Sequence, residues 1–186
     1  MIGVWTNVIA FGLVAILSIR LMVSRPGLLT RWAAVAFLSI AIAAIASAVQ
    51  PSSPRGSSTW DVVTKTFVIL LAVFPWSLLE FAMATLPRRP RGVREVSSVI
   101  FVGLVISALF IDFRDFNVSN SPGRIAYTYI YLGYLLTAIA LVAVILWYAS
   151  REQPGMVRNR LRMLTVGTIL LGIALVLSFT RLGGPV

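Results

Sequence analysis

The amino-acid sequence predicts an all-α integral membrane protein, a single polytopic domain over residues 1–186 built as a bundle of six transmembrane helices with its N terminus outside. Three observations carry this. Apolar residues make up 59% of the chain and charged ones 12%, and with a mean hydropathy of +0.93 the charges fall as islands between long apolar runs. Six such runs are legible, at 2–23, 32–49, 66–86, 96–111, 125–148 and 163–180. At about 1.5 Å per residue each approaches the ~30 Å of a hydrocarbon core, and a closed barrel would show short alternating strands instead. Finally, eleven of the 16 basic residues fall in the odd-numbered connections: Arg20, Arg25 and Arg31, then Arg88, Arg89, Arg91 and Arg94, then Arg151, Arg158, Arg160 and Arg162. Arg55, Lys65, Arg114, Arg124 and Arg181 fall on the other side, so the odd connections are predicted inside and the even ones outside. Asp61, Asp112 and Asp115 lie on the predicted outer side, in weak agreement.

The first run has no Lys or Arg before it and no small-residue cleavage pattern after IRLMVSRPG, so it reads as a retained span and not a signal peptide. The second holds eight alanines between Ala33 and Ala48, with Ser39, Ala43 and Ser47 at four-residue intervals. Small residues so spaced let helix backbones approach, which makes this helix central in the bundle or the interface of a homodimer.

The third run, ending FPWSLLEFAMATLP, carries the most chemistry. Glu80 sits inside its inner end, where an ionisable residue is costly and usually faces the bundle interior with a partner. Arg20, inside the first run and near its cytoplasmic end, is the expected partner. A proton or cation site, a switchable latch and a structural ion pair are all open readings. Pro75, near the middle of the same run, removes a backbone hydrogen bond and predicts a kink, and Trp76 beside it can wall a pocket. Prolines are also simply frequent in membrane helices.

The fourth run is the shortest and spans only if Arg94 and Asp112 reach outward or the bilayer thins. The fifth opens IAYTYIYLGY, where Tyr127, Tyr131 and Tyr134 share one helical face near the outer surface. They form either an interfacial aromatic belt or a pocket offering phenol hydrogen bonds to a small ligand. Trp147 and Tyr148 at the other end read as belt residues. In VRNRLRML, leading into the sixth run, Arg158, Arg160 and Arg162 orient the chain and can hold anionic lipid head groups.

A net charge of +10 and a pI near 11.4 would suggest nucleic acid, but the hydropathy excludes that partner and leaves the bilayer. With no Cys and no His, disulfides, the usual zinc sites, histidine-ligated haem and Cys or His nucleophiles are excluded. No phosphate-binding glycine loop or paired-carboxylate metal motif is present, so no cofactor, metal site or catalytic residue is expected. The outer connections QPSSPRGSST and DFRDFNVSNSPGR are too short for a folded external domain, so any stimulus or substrate is small or lipid-borne.

Two stretches carry a resemblance. LLEFAMATLPRRPRGVREVSSVIFVGLVISALF is a span, a short basic turn and a second span. YLLTAIALVAVILWYASREQPGMVRNRLRMLTVGTILLGIALVLS is a span, a loop and a glycine-containing span entered through RNRLRML. Together they resemble the N-terminal seven-transmembrane input region of bacterial histidine kinases and related diguanylate cyclases and phosphatases, over roughly residues 60–180. The resemblance implies an external N terminus, short loops and spans that deliver the chain to a cytoplasmic output domain. This sequence departs from that pattern in lacking a seventh helix and an output region, and no functional residue carries over. Six spans place RLGGPV outside, either as the end of a complete unit or as an outer loop preceding a seventh helix.

The expected function is therefore a sensory input module in a bacterial inner membrane. The alternative is a small transporter or channel subunit with Glu80 as its coupling carboxylate, and a structural subunit of a membrane complex is a third. An inverted repeat, which would favour a transporter, is not visible.

Overall fold

The computed structural model describes residues 2–24, 27–49, 57–111 and 122–182. It contains six α-helices: α1 (Ile2–Ser24), α2 (Leu28–Val49), α3 (Ser58–Met83), α4 (Arg91–Phe110), α5 (Pro122–Glu152) and α6 (Gly155–Leu182). Each predicted run coincides with one helix, and the ends differ where polar residues prove to be helical. The basic residues Arg25, Arg55 and Arg114 and the acids Asp112 and Asp115 lie outside the described residues.

Helix α3 begins well before its predicted start. Ser57, at φ −75° and ψ 156°, accepts a hydrogen bond from the Trp60 N–H at 3.1 Å, which closes the first turn. Asp61 then pairs with Lys65 one turn on at 2.9 Å. The helix also stops earlier than predicted. Pro87 disfavours helical backbone at Leu86, and the Thr85 hydroxyl bonds back to the Ala82 carbonyl at 2.7 Å, so the chain turns at Ala84. Pro75 consequently lies a little past the midpoint of the helix on its Met83 side, and Glu80 stands in the last turn.

Helix α4 starts at Arg91 behind Pro90, which makes it 20 residues long and removes the predicted shortfall. Arg91, Arg94 and Glu95 were predicted to be loop, as were Arg158, Arg160 and Arg162, and all are helical. Arginine and glutamate are good helix formers, and their long side chains reach the interface from inside a helix. Between α5 and α6 the link is Gln153 and Pro154, followed by Gly155 at φ 55°, a left-handed conformation open to glycine without strain. So short a link makes α5 and α6 antiparallel neighbours.

Helix α3 is the centre of the bundle, packed against α2, α4 and α5, while α1 packs on α2 and α6 on α5. The small residues of α2 lie inside this arrangement: Ala34, Ala36, Ser39, Ala41 and Ala43 are buried. Their close-approach role is taken up by the chain's own helices, and α2 sits between α1 and α3, not at the centre. The core forms two clusters, one around Phe74, Leu104, Tyr131 and Leu135, the other around Leu79, Met83, Val142 and Leu146.

Large apolar side chains also cover the outside, among them Val99 at 72% exposure, Phe110 at 86% and Met163 at 75%. A surface of that kind suits hydrocarbon and not water. Among the described residues four helical segments are long and apolar enough to cross a membrane: Leu28–Ala46, Ser58–Met83, Arg91–Phe110 and Ile125–Glu152.

Candidate functional site

The site begins with a gap in α3. Pro75 has no N–H, so the carbonyl of Leu71, four residues back, loses its helical donor. In a bilayer such a group needs a partner from elsewhere. Tyr131 on α5 supplies it, donating its hydroxyl to the Leu71 carbonyl at 3.1 Å. The Ser77 hydroxyl bonds the carbonyls of Val73 and Phe74 at 2.8 and 3.0 Å, so the turn before the proline is held by side chains.

Tyr127 and Tyr134 lie on the same face of α5, and all three tyrosines are buried. They point onto α3 and α4, which corrects the aromatic-belt reading. Tyr134 exchanges a hydrogen bond with Ser97 of α4 at 3.0 Å. The Tyr127 hydroxyl is buried with no hydrogen-bond partner among the described residues. The outward-facing tyrosines of α5 are Tyr129 and Tyr148.

Trp76 packs on the adjoining face of α4. Its ring stacks on Phe101 of α4 at 4.8 Å and 9°, and meets Trp32 of α2 edge-on at 5.1 Å. Its indole N–H donates to Ser98 at 3.4 Å, near the upper limit for such a bond.

Glu80 is 1% exposed, and the Arg94 Nε donates to its Oε1 at 2.9 Å while Oε2 has no partner among the described residues. Arg94 is the partner, not Arg20. Helix α1 packs on α2 alone among the described helices, and Arg20 is exposed there, so it has no route to α3. The Glu80–Arg94 pair joins the last turn of α3 to the first turn of α4 across the basic connection. Because the Arg94 side chain is 53% exposed, the pair is anchored inside and solvated or headgroup-bound outside.

Helices α4 and α5 diverge around the Tyr134–Ser97 bond. On one side a cleft of about 640 Å³ is lined by Gly103, Leu104, Ser107, Tyr127 and Ile130. On the other a smaller one of about 300 Å³ is lined by Leu79, Val93, Val96, Thr137 and Leu141, with Tyr134 and Ser97 at its wall. Both are almost wholly apolar, and Ile100 borders each. Such clefts suit an apolar body or chain, with the Tyr127 hydroxyl as a free donor. Among the described residues no group of carboxylates is placed to hold a metal.

Sequence reasoning marked Glu80, Pro75, Trp76 and the tyrosines, and the structure brings these together around α3. It missed Arg94, Ser97, Ser98 and the Leu71 carbonyl. Hairpin symmetry could have found Arg94, since Glu80 and Arg94 stand at matching depths on either side of one turn. The proline pointed to Leu71 by the four-residue rule. Away from this cluster, Arg158 and Arg160 are exposed, while Arg162 lies over the Trp147 ring at 5.6 Å. No protein family, characterised protein or solved structure matches this chain.

Proposed function

We propose that this chain is the membrane-embedded input module of a signal-transduction protein, with six spans and an external N terminus in a bacterial inner membrane, responding to a small or lipid-borne stimulus. The observation that supports this reading is how α4 is held. Three polar contacts tie its inner half to α3 and α5: Arg94 to Glu80, Ser98 to Trp76 and Ser97 to Tyr134. On either side of the Ser97–Tyr134 bond apolar clefts separate it from α5. Side-chain hydrogen bonds between membrane helices average roughly 0.6 kcal/mol, so three amount to about 2 kcal/mol. An apolar ligand preferring the opened cleft by that much shifts the balance about thirtyfold. Movement of α4 then pulls on the end of α3 through Glu80 and Arg94 and so on the basic turn.

The chain has no cysteine, so paired substitutions can carry spin labels without background. With labels at Val102→Cys on α4 and Tyr129→Cys on α5, both exposed, the distance distribution in lipid nanodiscs is expected to shift on Tyr134→Phe. An unchanged distribution would count against α4 as the moving part. The second reading, a carrier using Glu80, is favoured by the unpartnered Oε2. It requires proton or cation flux in proteoliposomes that Glu80→Gln abolishes, whereas an input module gives none.

A further inference from the structure

Trp147 lies on the exposed face of α5 close to its Glu152 end. Two guanidinium groups lie against its ring: Arg151, one turn further on, with its central carbon 5.9 Å from the indole centroid, and Arg162 of α6 at 5.6 Å. The turn through Gly155 is what folds α6 back so that Arg162 reaches a residue on α5. Both distances suit attraction between a cation and the face of an aromatic ring. Two cations on one ring nevertheless repel each other. Neither is in an ion pair among the described residues, and the Arg162 Nε is buried with no hydrogen-bond partner there. Arg158 and Arg160 add further positive charge on the exposed start of α6, against Glu152 alone nearby.

We infer that Trp147, Arg151 and Arg162 form a binding site for the phosphate of an anionic phospholipid head group. The indole belongs at the depth where head groups meet hydrocarbon. A guanidinium presents two parallel donors that match a phosphate, and a phosphate between Arg151 and Arg162 relieves their repulsion and satisfies the idle donor. The acyl chains of the same lipid lie along the apolar outer face of α6, where Met163, Val166 and Leu170 are exposed. This rests on the α5–α6 turn meeting a bilayer surface and is independent of any signalling role. It differs from a general attraction of the basic connection, because it names a pair on two helices sharing one ring and leaves out Arg158 and Arg160.

The test is lipid retention by the full chain, purified in detergent and followed by native mass spectrometry with phosphatidylglycerol or phosphatidylcholine added. The wild-type protein is expected to retain phosphatidylglycerol in preference. Arg151→Gln with Arg162→Gln should weaken that retention about tenfold, while Arg158→Gln with Arg160→Gln should leave it largely in place. Trp147→Leu and the double lysine variant, which keeps the charge and loses the planar fork, should each weaken it to a smaller degree, and they carry the test where the glutamine pair does not fold. Inorganic phosphate should not displace the lipid. Equal retention of both lipids, equal loss in the two glutamine pairs, or displacement by inorganic phosphate alone would overturn the assignment.

Discussion

The Tyr131 hydroxyl lies 3.1 Å from the Leu71 carbonyl, the one that Pro75 leaves without a helical donor. A break in one helix is thus mended by a side chain from another, which joins α3 to α5 at the core of the bundle. Pairing Pro75 with a tyrosine lets α3 keep a weak point without leaving an unsatisfied group in hydrocarbon. It also makes the position of α5 a condition for the geometry of α3.

Tyr131→Phe should therefore destabilise the protein by about 1 kcal/mol. With Pro75→Ala the backbone N–H returns and Leu71 regains its donor, so in that background Tyr131→Phe should cost markedly less. The measurement is a double-mutant cycle by reversible unfolding in lipid or mixed micelles. Equal costs in both backgrounds would show that the two residues act independently.

That relationship marks where the sequence is legible and where it is not. Hydropathy located all six helices, because each carries a long apolar run, and the helical spacing of Tyr127, Tyr131 and Tyr134 showed their common face. Which way that face points was hidden, since a tyrosine suits the interface and an apolar core with one acceptor equally well. Helix ends were misplaced where arginines continue a helix past its apolar run, as at Arg91, Arg94 and Arg162. The choice of Arg20 for Glu80 assumed that matching depth is enough, whereas α2 separates α1 from α3.

Removing either partner of the Glu80–Arg94 pair should have unequal effects. Arg94→Gln leaves a buried carboxylate without its cation, while Glu80→Gln leaves an arginine that is already half exposed and can turn outward. The expected loss is about 2 kcal/mol for Arg94→Gln, below the cost at a fully enclosed pair because of that exposure, and less than half as much for Glu80→Gln. Combining the two should restore much of the loss. Thermal unfolding of the three variants checks the order, and a larger loss in Glu80→Gln would mean that the carboxylate is held by something other than Arg94.

Trp76 joins three helices, stacked on Phe101 and set edge-on against Trp32. Trp76→Leu removes both ring contacts and the bond to Ser98, so it should destabilise the fold by about 3 kcal/mol. The loss should appear first in α4. Hydrogen exchange in nanodiscs is expected to rise along Arg91–Phe110 more than along Leu28–Val49, because α2 keeps its close contacts with α1 and α3. Uniform loss of protection across the bundle would mean that α4 does not move as a separate unit.

The sidedness predicted from the arginines can be read with single cysteines, since the natural chain contains none. Thr59 and Gly123 stand at the ends of α3 and α5 predicted to be outside, and Arg88 and Gln153 in the turns predicted to be inside, and all four are exposed. A membrane-impermeant maleimide should label Thr59→Cys and Gly123→Cys in intact spheroplasts. Arg88→Cys and Gln153→Cys should react only once the membrane is opened. Because consecutive spans alternate in direction, the four positions are linked, and one orientation requires all of them to agree. The opposite pattern would put the Trp147, Arg151 and Arg162 cluster outside and the N terminus within. A mixed pattern, with Arg88 and Gln153 on different sides, would mean that α4 and α5 do not both cross.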